Sequence, residues 1–304
     1  MKKYVLGIDV GGTNVRMGLV NAKGEIAGRS GFSTKDFIRD PGMLIRQIAD
    51  VSKKLIRSQG LSKKEIKGIG IGLPGLIDPI KGIVHVLPNI PGWKDVKFKK
   101  IFQEKTGMAA FLENDVNLIA LGEWRFGAGV GAENMICMTL GTGVGGGLIL
   151  ENRLYRGAGF AAGELGHVPI NEKGPACNCG GTACMERYVG NRYLQIKAQS
   201  FFGKKVSLEE VERAATRGSA RAVRFWRETA EHIGNGLVGV VNFLNPELIV
   251  IGGGVSNAHK YLFPTIRRII RERSMKVQGK MVKIVKAKLG NNAGIIGAQV
   301  LVRG

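Results

Sequence analysis

Residues 4–28 read YVLGIDVGGTNVRMGLVNAKGEIAG. Apolar side chains alternate on either side of Gly11-Gly12, and Asn21-Ala22-Lys23-Gly24 breaks the pattern a second time. The segment therefore predicts strand, glycine turn, strand, polar turn, strand. Residues 135–155, MICMTLGTGVGGGLILENRLY, follow the same plan. With a shift of 130 positions Gly11 falls on Gly141, Gly12 on Thr142, Leu19 on Ile149 and Val20 on Leu150. A ribbon that occurs twice implies two similar halves. A ligand site is expected in the crevice between them.

Between and beyond the ribbons, strand and helix patterns alternate. Asp40-Pro41 is an N-cap followed by proline at the first helical position, and Leu44, Ile45, Ile48, Val51 and Leu55 recur at helical spacing up to Gly60. Ser62 with Glu65, and Ser207 with Glu210, have the spacing of capping boxes. IKGIGIGLPG (66–75) reads as a buried strand ending in a tight loop, and FLENDVNLIALGEW (111–124) as a strand end running into a helix. Helices are expected near Val96–Lys105, over Ala220–Leu244 before Asn245-Pro246, near Tyr261–Arg273 and over Asn292–Val302. ELIVIGGGVS (247–256) is a buried strand meeting a triple glycine, and a further strand is expected near Val282–Ala287.

A chain of 304 residues has room for about two domains. At 44% hydrophobic and 23% charged residues it has an ordinary globular composition. The net charge of +21 suits anionic ligands such as nucleotides. The basic residues are spread over predicted helices (Lys53, Lys54, Lys63, Lys64, Lys99, Lys100, Arg267, Arg268), without a helix-turn-helix at the start or an aromatic-interleaved basic run. No specific nucleic-acid partner is therefore expected. The opening MKKYVLGIDV lacks a signal-peptide core, and no apolar run approaches the length of a membrane span, so no membrane partner is expected either.

Three glycine loops follow apolar strands: Gly11-Gly12-Thr13-Asn14, Gly141-Thr142-Gly143 and Gly252-Gly253-Gly254. Glycine lets backbone amides turn towards an anion with no Cβ in the way. Neither a Walker-type P-loop nor a Rossmann fingerprint is present at the first loop, and each loop alone could be a tight hairpin turn. Three together, two of them repeats, point to phosphate. Asp9, just before the first loop, is placed to hold Mg²⁺ directly or through water; the plainer reading is a strand-end hydrogen bond. Asp115 lies at a strand-to-helix junction, where an aspartate is most often an N-cap. The chemical alternative is a general base for a hydroxyl, since phosphoryl transfer needs one carboxylate to orient the nucleophile and take its proton. Asn114, Glu164, His167 and Glu186 are the acceptors and donors a hydroxyl-rich substrate would use.

Three of the four cysteines fall at 177, 179 and 184, following His167. His167, Cys177, Cys179 and Cys184 form a Cys₃His set, a complete tetrahedral zinc shell with no position left for water. Such a zinc is structural. A disulfide fits less well, because three thiols leave one over, and a reducing cytoplasm is expected.

The motifs DVGGTNVR (9–16), LPG (73–75), PNIPGW (88–93), ENDVN (113–117), LGTGVGGG (140–147), GELGH (163–167), CNCGGTACME (177–186) and IGGGVS (251–256) run in this order over nearly the whole chain. Together they resemble the ROK family (repressor, open reading frame, kinase) of sugar kinases, in the actin/hexokinase-like ATPase superfamily, and within it the glucokinases most. The resemblance implies an α/β fold of two ribonuclease H-like domains around a deep cleft. The small domain would take residues 1–114 with a C-terminal helix at 291–304, and the large one 115–290 with the zinc loop. It implies ATP-dependent phosphorylation of glucose to glucose 6-phosphate, with Asp115 as base. Gly75, Asn89, Asn114, Asp115, Glu164, His167 and Glu186 match sugar-contacting positions. Gly11, Gly12, Thr13, Thr142 and Gly143 match phosphate-loop positions, joined by Asp9 and Asn14, with Gly253 and Gly254 at the adenosine end. His167 would place one ring nitrogen on zinc and turn the other to the sugar. Family members are often homodimers. Relatives acting on N-acetylmannosamine, N-acetylglucosamine or fructose share much of the pattern, and the family's repressors carry an N-terminal DNA-binding extension. The chain begins at the phosphate-loop strand, so a kinase is expected rather than a sugar-sensing regulator. Ala183 departs from the usual glycine; its methyl is tolerated unless the backbone there needs a positive φ.

Overall fold

Both glycine-turn ribbons form, and each heads a five-stranded sheet. The computed structural model describes residues 3–37, 39–88, 90, 92–203 and 206–304. In the first half β1 (Tyr4–Val10), β2 (Asn14–Val20) and β3 (Ile26–Ser33) make an antiparallel ribbon, and β4 (Ile66–Leu73) joins β1 in parallel. A small antiparallel sheet of β5 (Leu76–Asp78), β6 (Ile83–Val86) and β7 (Lys94–Val96) follows, and β8 (Ala110–Asn114) then pairs in parallel with β4. In the second half β9 (Met135–Leu140), β10 (Val144–Leu150) and β11 (Arg153–Tyr155) repeat the ribbon, and β12 (Leu248–Gly252) and β13 (Lys283–Lys286) extend it in parallel. The strand orders are β3-β2-β1-β4-β8 and β11-β10-β9-β12-β13, the same plan used twice.

The registers correct the alignment in one respect. Val5 lies opposite Val20, whereas Met135 lies opposite Ile149. The second glycine turn is one residue shorter, so Val20 corresponds to Ile149 and not to Leu150. Beyond the turn the repeat runs at 129 positions. Phosphate-loop residues past the second glycine therefore have no one-to-one partners in the two halves.

Helices fill three layers around the sheets. On the outer face of the first sheet lie α1 (Pro41–Ser58) and α2 (Phe98–Thr106), whose Leu44, Ile45, Ile48, Phe98 and Phe102 pack on Leu6, Ile8, Leu19 and Ile69. Asp40 caps α1, its Oδ1 accepting from the Met43 amide at 3.1 Å, with Pro41 in the first turn. The expected helix from Val96 starts two residues later, at Phe98, because Val96 is still paired with Val84 in the small sheet. It stops at Gly107 as expected, in the left-handed conformation. On the far face of the second sheet lie α4 (Glu186–Val189), α5 (Asn191–Phe202), α6 (Leu208–Thr216), α7 (Ala220–Leu244), α8 (His259–Arg273) and α9 (Lys276–Met281). The Ser207–Glu210 capping box opens α6, and α7 ends at Asn245 as the following proline requires. None of the helices among the described residues is long and apolar enough to cross a membrane.

The middle layer is α3 (Asp115–Phe126) and α10 (Ala293–Arg303), packed against each other between the two sheets. α10 lies on β1, β2 and β4, while α3 reaches β9 and β10. α10 is buried nearly all round, which is why AGIIGAQVLV shows no polar stripe. The helices approach closely enough that a Cβ on Gly297 would drive into the Leu118 carbonyl, and one on Gly122 into that of Ala293.

Glu123, fully buried near the end of α3, was not legible as a structural residue. Its carboxylate accepts from the Ala128 amide at 2.8 Å, from Lys288 at 3.0 Å and from Leu289 at 2.7 Å, tying α3 to the segment between β13 and α10. Each buried amide left without an acceptor costs about 1–3 kcal/mol. Glu123→Ala should lower stability to urea by more than about 3 kcal/mol on that scale. Glu123→Gln, keeping one acceptor oxygen, should cost less, and equal losses would argue against the amide account.

Candidate active site

The β8–α3 junction separates capping from chemistry. Asn114 is the N-cap: its Oδ1 accepts from the amides of Val116 at 2.9 Å and Asn117 at 3.3 Å. Its Nδ2 donates to the Gly75 carbonyl at 3.2 Å, joining two positions expected at the sugar. The cap role read for Asp115 from its position therefore belongs to its neighbour. Asp115 is the first helical residue, and its Oδ1 accepts from the Val116 amide at 2.9 Å.

Asp115 is half-buried, and the desolvation of its carboxylate, followed by the nearby negative charges of Asp9 and Glu164, pushes its pKa up to about 7 from an ordinary 3.8. The Val116 amide pulls the other way and is outweighed. Asp9 is itself raised by burial, offset in part by Arg16 across the β1–β2 ladder. Three carboxylates from distant segments thus share one field, and Asp115 is poised to exchange a proton near neutrality.

The glycine loops lie at the carboxyl ends of β1, β9 and β12. Gly12, Thr13 and Asn14 are exposed at the first tip, and the loop is closed by the Gly11 amide donating to the Asn14 carbonyl at 2.9 Å. Thr34, buried and unsuspected from its sequence, fastens it from behind: its Oγ1 donates to the Gly12 carbonyl at 2.9 Å and its amide to Thr13 at 2.9 Å. In the second loop Thr142 is exposed, and the Gly141 amide donates to Gly143 at 2.9 Å. Glu186 reaches this loop, its Oε2 accepting from the Val144 amide at 2.9 Å. Gly253 has φ 84° and sits so close to the Leu140 carbonyl that a Cβ would collide, which places the third loop beside the second. Asn89, expected at the sugar, lies outside the described residues.

His167, Cys177, Cys179 and Cys184 converge. All four ligand atoms lie within 4.8 Å of one another. Cys177 Sγ is 3.7 Å from His167 Nδ1, and Cys179 Sγ is 3.6 Å from Cys184 Sγ. A tetrahedron with Zn–S bonds of about 2.3 Å has edges of about 3.8 Å, so these donors have the spacing of a metal shell. The other ring nitrogen, Nε2, faces Glu164 Oε2 at 3.9 Å. A short ribbon holds the thiols, with Ala176 bridged to Thr182 and Pro169 to Cys184.

Two further charged residues were missed. Glu113 is 2% exposed and accepts from Arg156 Nε at 2.7 Å, from Asn117 Nδ2 at 2.9 Å and from the Asn114 amide at 3.0 Å. A charged residue preceding a predicted cap carries no signal of this in one sequence.

The ROK family model matches residues 5–304. The chain belongs to the ROK family. Among its ROK relatives, the glucokinase of Halalkalibacterium halodurans is 35% identical over 317 residues, 99% of this chain and 95% of that one. The xylose repressor of Caldicellulosiruptor bescii is 32% identical, over 98% of this chain and 77% of the repressor. The crystal structure of a ROK glucokinase from Streptomyces griseus, in complex with glucose and AMPPNP, matches with a TM-score of 0.79 at 30% identity over 99% of each chain. The two-domain sugar-kinase fold expected from the motifs is the fold of this protein.

Ala183, where ROK proteins were expected to carry glycine, has φ 54° and is fully buried. The condition under which its methyl matters is therefore met. Ala183→Gly relieves about 1–2 kcal/mol of left-handed strain but loses a buried methyl of about 0.8 kcal/mol and adds glycine's chain entropy. Its stability should stay within about 1 kcal/mol of the parent, whereas β-branched Ala183→Val should lose about 2 kcal/mol or more, read from urea midpoints.

Proposed function

We propose that this protein is an ATP-dependent hexose kinase that phosphorylates glucose at its 6-hydroxyl. The observation that carries the reading is Asp115: a carboxylate held free of capping, with its pKa near 7, in the field of Asp9 and Glu164. The glucose- and AMPPNP-bound Streptomyces griseus relative supports the substrate pair.

In this reading Gly75, Asn89, Asn114, Glu164, His167 and Glu186 hold the sugar hydroxyls. Asp115 accepts the proton of the attacking hydroxyl as that oxygen bonds to the γ-phosphorus of ATP and the bond from the γ-phosphorus to the β–γ bridging oxygen breaks, so that ADP leaves. Thr13, Asn14 and the amide of Gly12 face the phosphates from one half, with Gly11 closing the loop beneath them, and Thr142 and Gly143 face them from the other. Gly253 and Gly254 border the adenosine. Mg²⁺, when bound, neutralises phosphate charge, and Asp9 is the carboxylate placed to hold it. His167, Cys177, Cys179 and Cys184 would hold a structural Zn²⁺, which supplies a fixed geometry for the loop. Residues 1–114 with 291–304 would move as one domain and 115–290 as the other, closing over both substrates to exclude water. A homodimer in a reducing cytoplasm completes this picture.

ADP release should show a clear kcat/KM maximum on glucose among glucose, mannose, fructose and the N-acetylhexosamines. Asp115→Ala should lower kcat by about a hundredfold or more, the scale of a lost general base. Near-normal turnover in that variant, or sugar-independent turnover in the parent, would falsify the assignment.

The base works deprotonated, so kcat/KM should climb with pH and level off above about 7. Stability runs the opposite way. The folded state keeps the Asp115 proton more tightly than the unfolded chain, so this contribution is present below the ordinary 3.8 and is lost as pH rises through about 7. Asp115→Asn should therefore melt above the parent at pH 8, with the gap closing towards pH 4. A gap that widens on acidification would reverse the sign.

Chelation should remove one metal per chain by elemental analysis and weaken hexose binding through His167, measured by calorimetry in the absence of nucleotide. Unaltered binding by metal-free protein would detach the metal from the site.

A further inference from the structure

Glu113 is the penultimate residue of β8, one before the cap Asn114 and two before Asp115. Arg156 stands just past β11, at the root of the segment that carries Glu164 and His167. The amide of Ala162 donates to the Arg156 carbonyl at 3.0 Å and closes the base of that segment. β8 is an edge strand of the first sheet and β11 an edge strand of the second. The 2.7 Å bond from Arg156 Nε to Glu113 Oε2 therefore joins the two halves of the molecule. It joins them between the Asn114–Asp115 junction and the Glu164–His167 segment.

The carboxylate divides its work. Oε1 accepts from the Asn114 amide at 3.0 Å and from Asn117 Nδ2 at 2.9 Å, fixing the first turn of α3 from below. Oε2 is given to Arg156. A carboxylate that is 3% exposed needs a partner, and here the partner sits on the other half. A link of that kind sets a distance between two functional segments, whatever it contributes to stability.

We propose that Glu113 and Arg156 are positioning residues for the hexose: the pair holds the Glu164–His167 segment at the separation from Asp115 that presents the reacting hydroxyl to the base. This rests on the kinase reading above. Neither residue touches the sugar or the phosphates in this account. Their effect falls on the hexose, because the glycine loops are carried by β1, β9 and β12 and are fastened by Thr34 and Glu186 instead.

Three variants separate positioning from plain stability. Glu113→Gln can keep Oε1 as the acceptor for Asn114 and Asn117 while turning an NH₂ towards Arg156, so it severs the link alone. Arg156→Met keeps bulk and leaves Glu113 charged and unpaired. The double variant removes both charges and should regain most of the lost melting temperature. Steady-state kinetics with hexose and ATP varied in turn should give at least a tenfold fall in kcat/KM for hexose in all three variants. KM for ATP should stay within twofold, and the double variant should not recover the hexose value despite its recovered stability. Hexose kinetics that recover with melting temperature, or losses shared equally by both substrates, would assign the pair a structural role only. Parent-like kinetics in all three would remove the pair from the site. A parent protein that turns over no hexose would overturn the kinase reading and the positioning role with it.

Discussion

The close packing of α3 against α10 is the constraint on which the two halves of this protein depend. Each sheet has one face covered by its own helices, and the facing sides share this single pair. Gly297 and Gly122 let the helix backbones approach until carbonyl and Cα share the space a side chain would fill. On the first sheet Gly7 and Gly70 let β1 and β4 come close to α10, where a Cβ would collide with Ile295 and Ala298. Small residues at these points exchange side-chain burial for dispersion contact along two helices and a sheet. The consequence for the site is direct. The N-terminus of α3 holds Asp115, and the first turn of α10 packs beside Asp9, where a Cβ on Gly294 would lie 3.4 Å from the Asp9 Cγ. The two carboxylates feel each other because the two helices touch.

That mutual influence has an energetic cost at the same place. Asp115 ionises against burial and against two like charges, so the folded chain is under strain when that carboxylate is charged. Glu123, at the other end of α3, does the reverse: it is a fully buried carboxylate supplied with three amide donors. One end of the helix is held by saturated hydrogen bonding while the other is left electrostatically unsatisfied. An acid near neutrality can persist at the N-terminus of α3 because the rest of that helix is over-determined by packing.

The sequence told most about what local physics decides. The ribbon turns, the Asp40 cap, both capping boxes and the span Ala220–Leu244 are written in neighbouring residues, and the motif order led to the ROK fold. Register was less legible: a turn shortened by one residue leaves the hydrophobic alternation intact, so the alignment slipped at Val20 without any visible break. The start of α2 slipped for a related reason, since the pairing of Val96 with Val84 is a contact across ten or more residues that no local pattern encodes. At the site, the convergence of His167 with three cysteines followed from donor chemistry alone. Glu113, Arg156, Glu123 and Thr34 were invisible because their roles are tertiary. Nothing in the types or spacing of those residues says that an arginine 43 positions on will meet Glu113. Ala183 is the intermediate case: the departure from glycine was readable, but its positive φ needed the backbone.

The loop that carries His167 and the three cysteines reaches further into the candidate site than these four side chains suggest. From Cys184 the chain runs through Met185, whose amide donates to the Val168 carbonyl at 3.0 Å, to Glu186, which accepts from the amide of Val144. Val144 is the first residue of β10, directly after the second glycine loop. On the opposite side of the cluster His167 turns Nδ1 to Cys177 and Nε2 to Glu164. One cluster is thus continuous through three residues with a phosphate-type loop and through one imidazole with a carboxylate that Asp115 senses. Ala183 is the link where this arrangement is tightest, a left-handed alanine between the exposed knuckle and the buried Cys184. Its strain is retained because the hydrogen bonds on either side, from its own amide to Pro175 and from the Ile170 amide to its carbonyl, leave the backbone no other course. A loop held this way transmits displacement rather than absorbing it, so whatever fixes the four donors fixes the geometry of the second glycine loop and of Glu164 together.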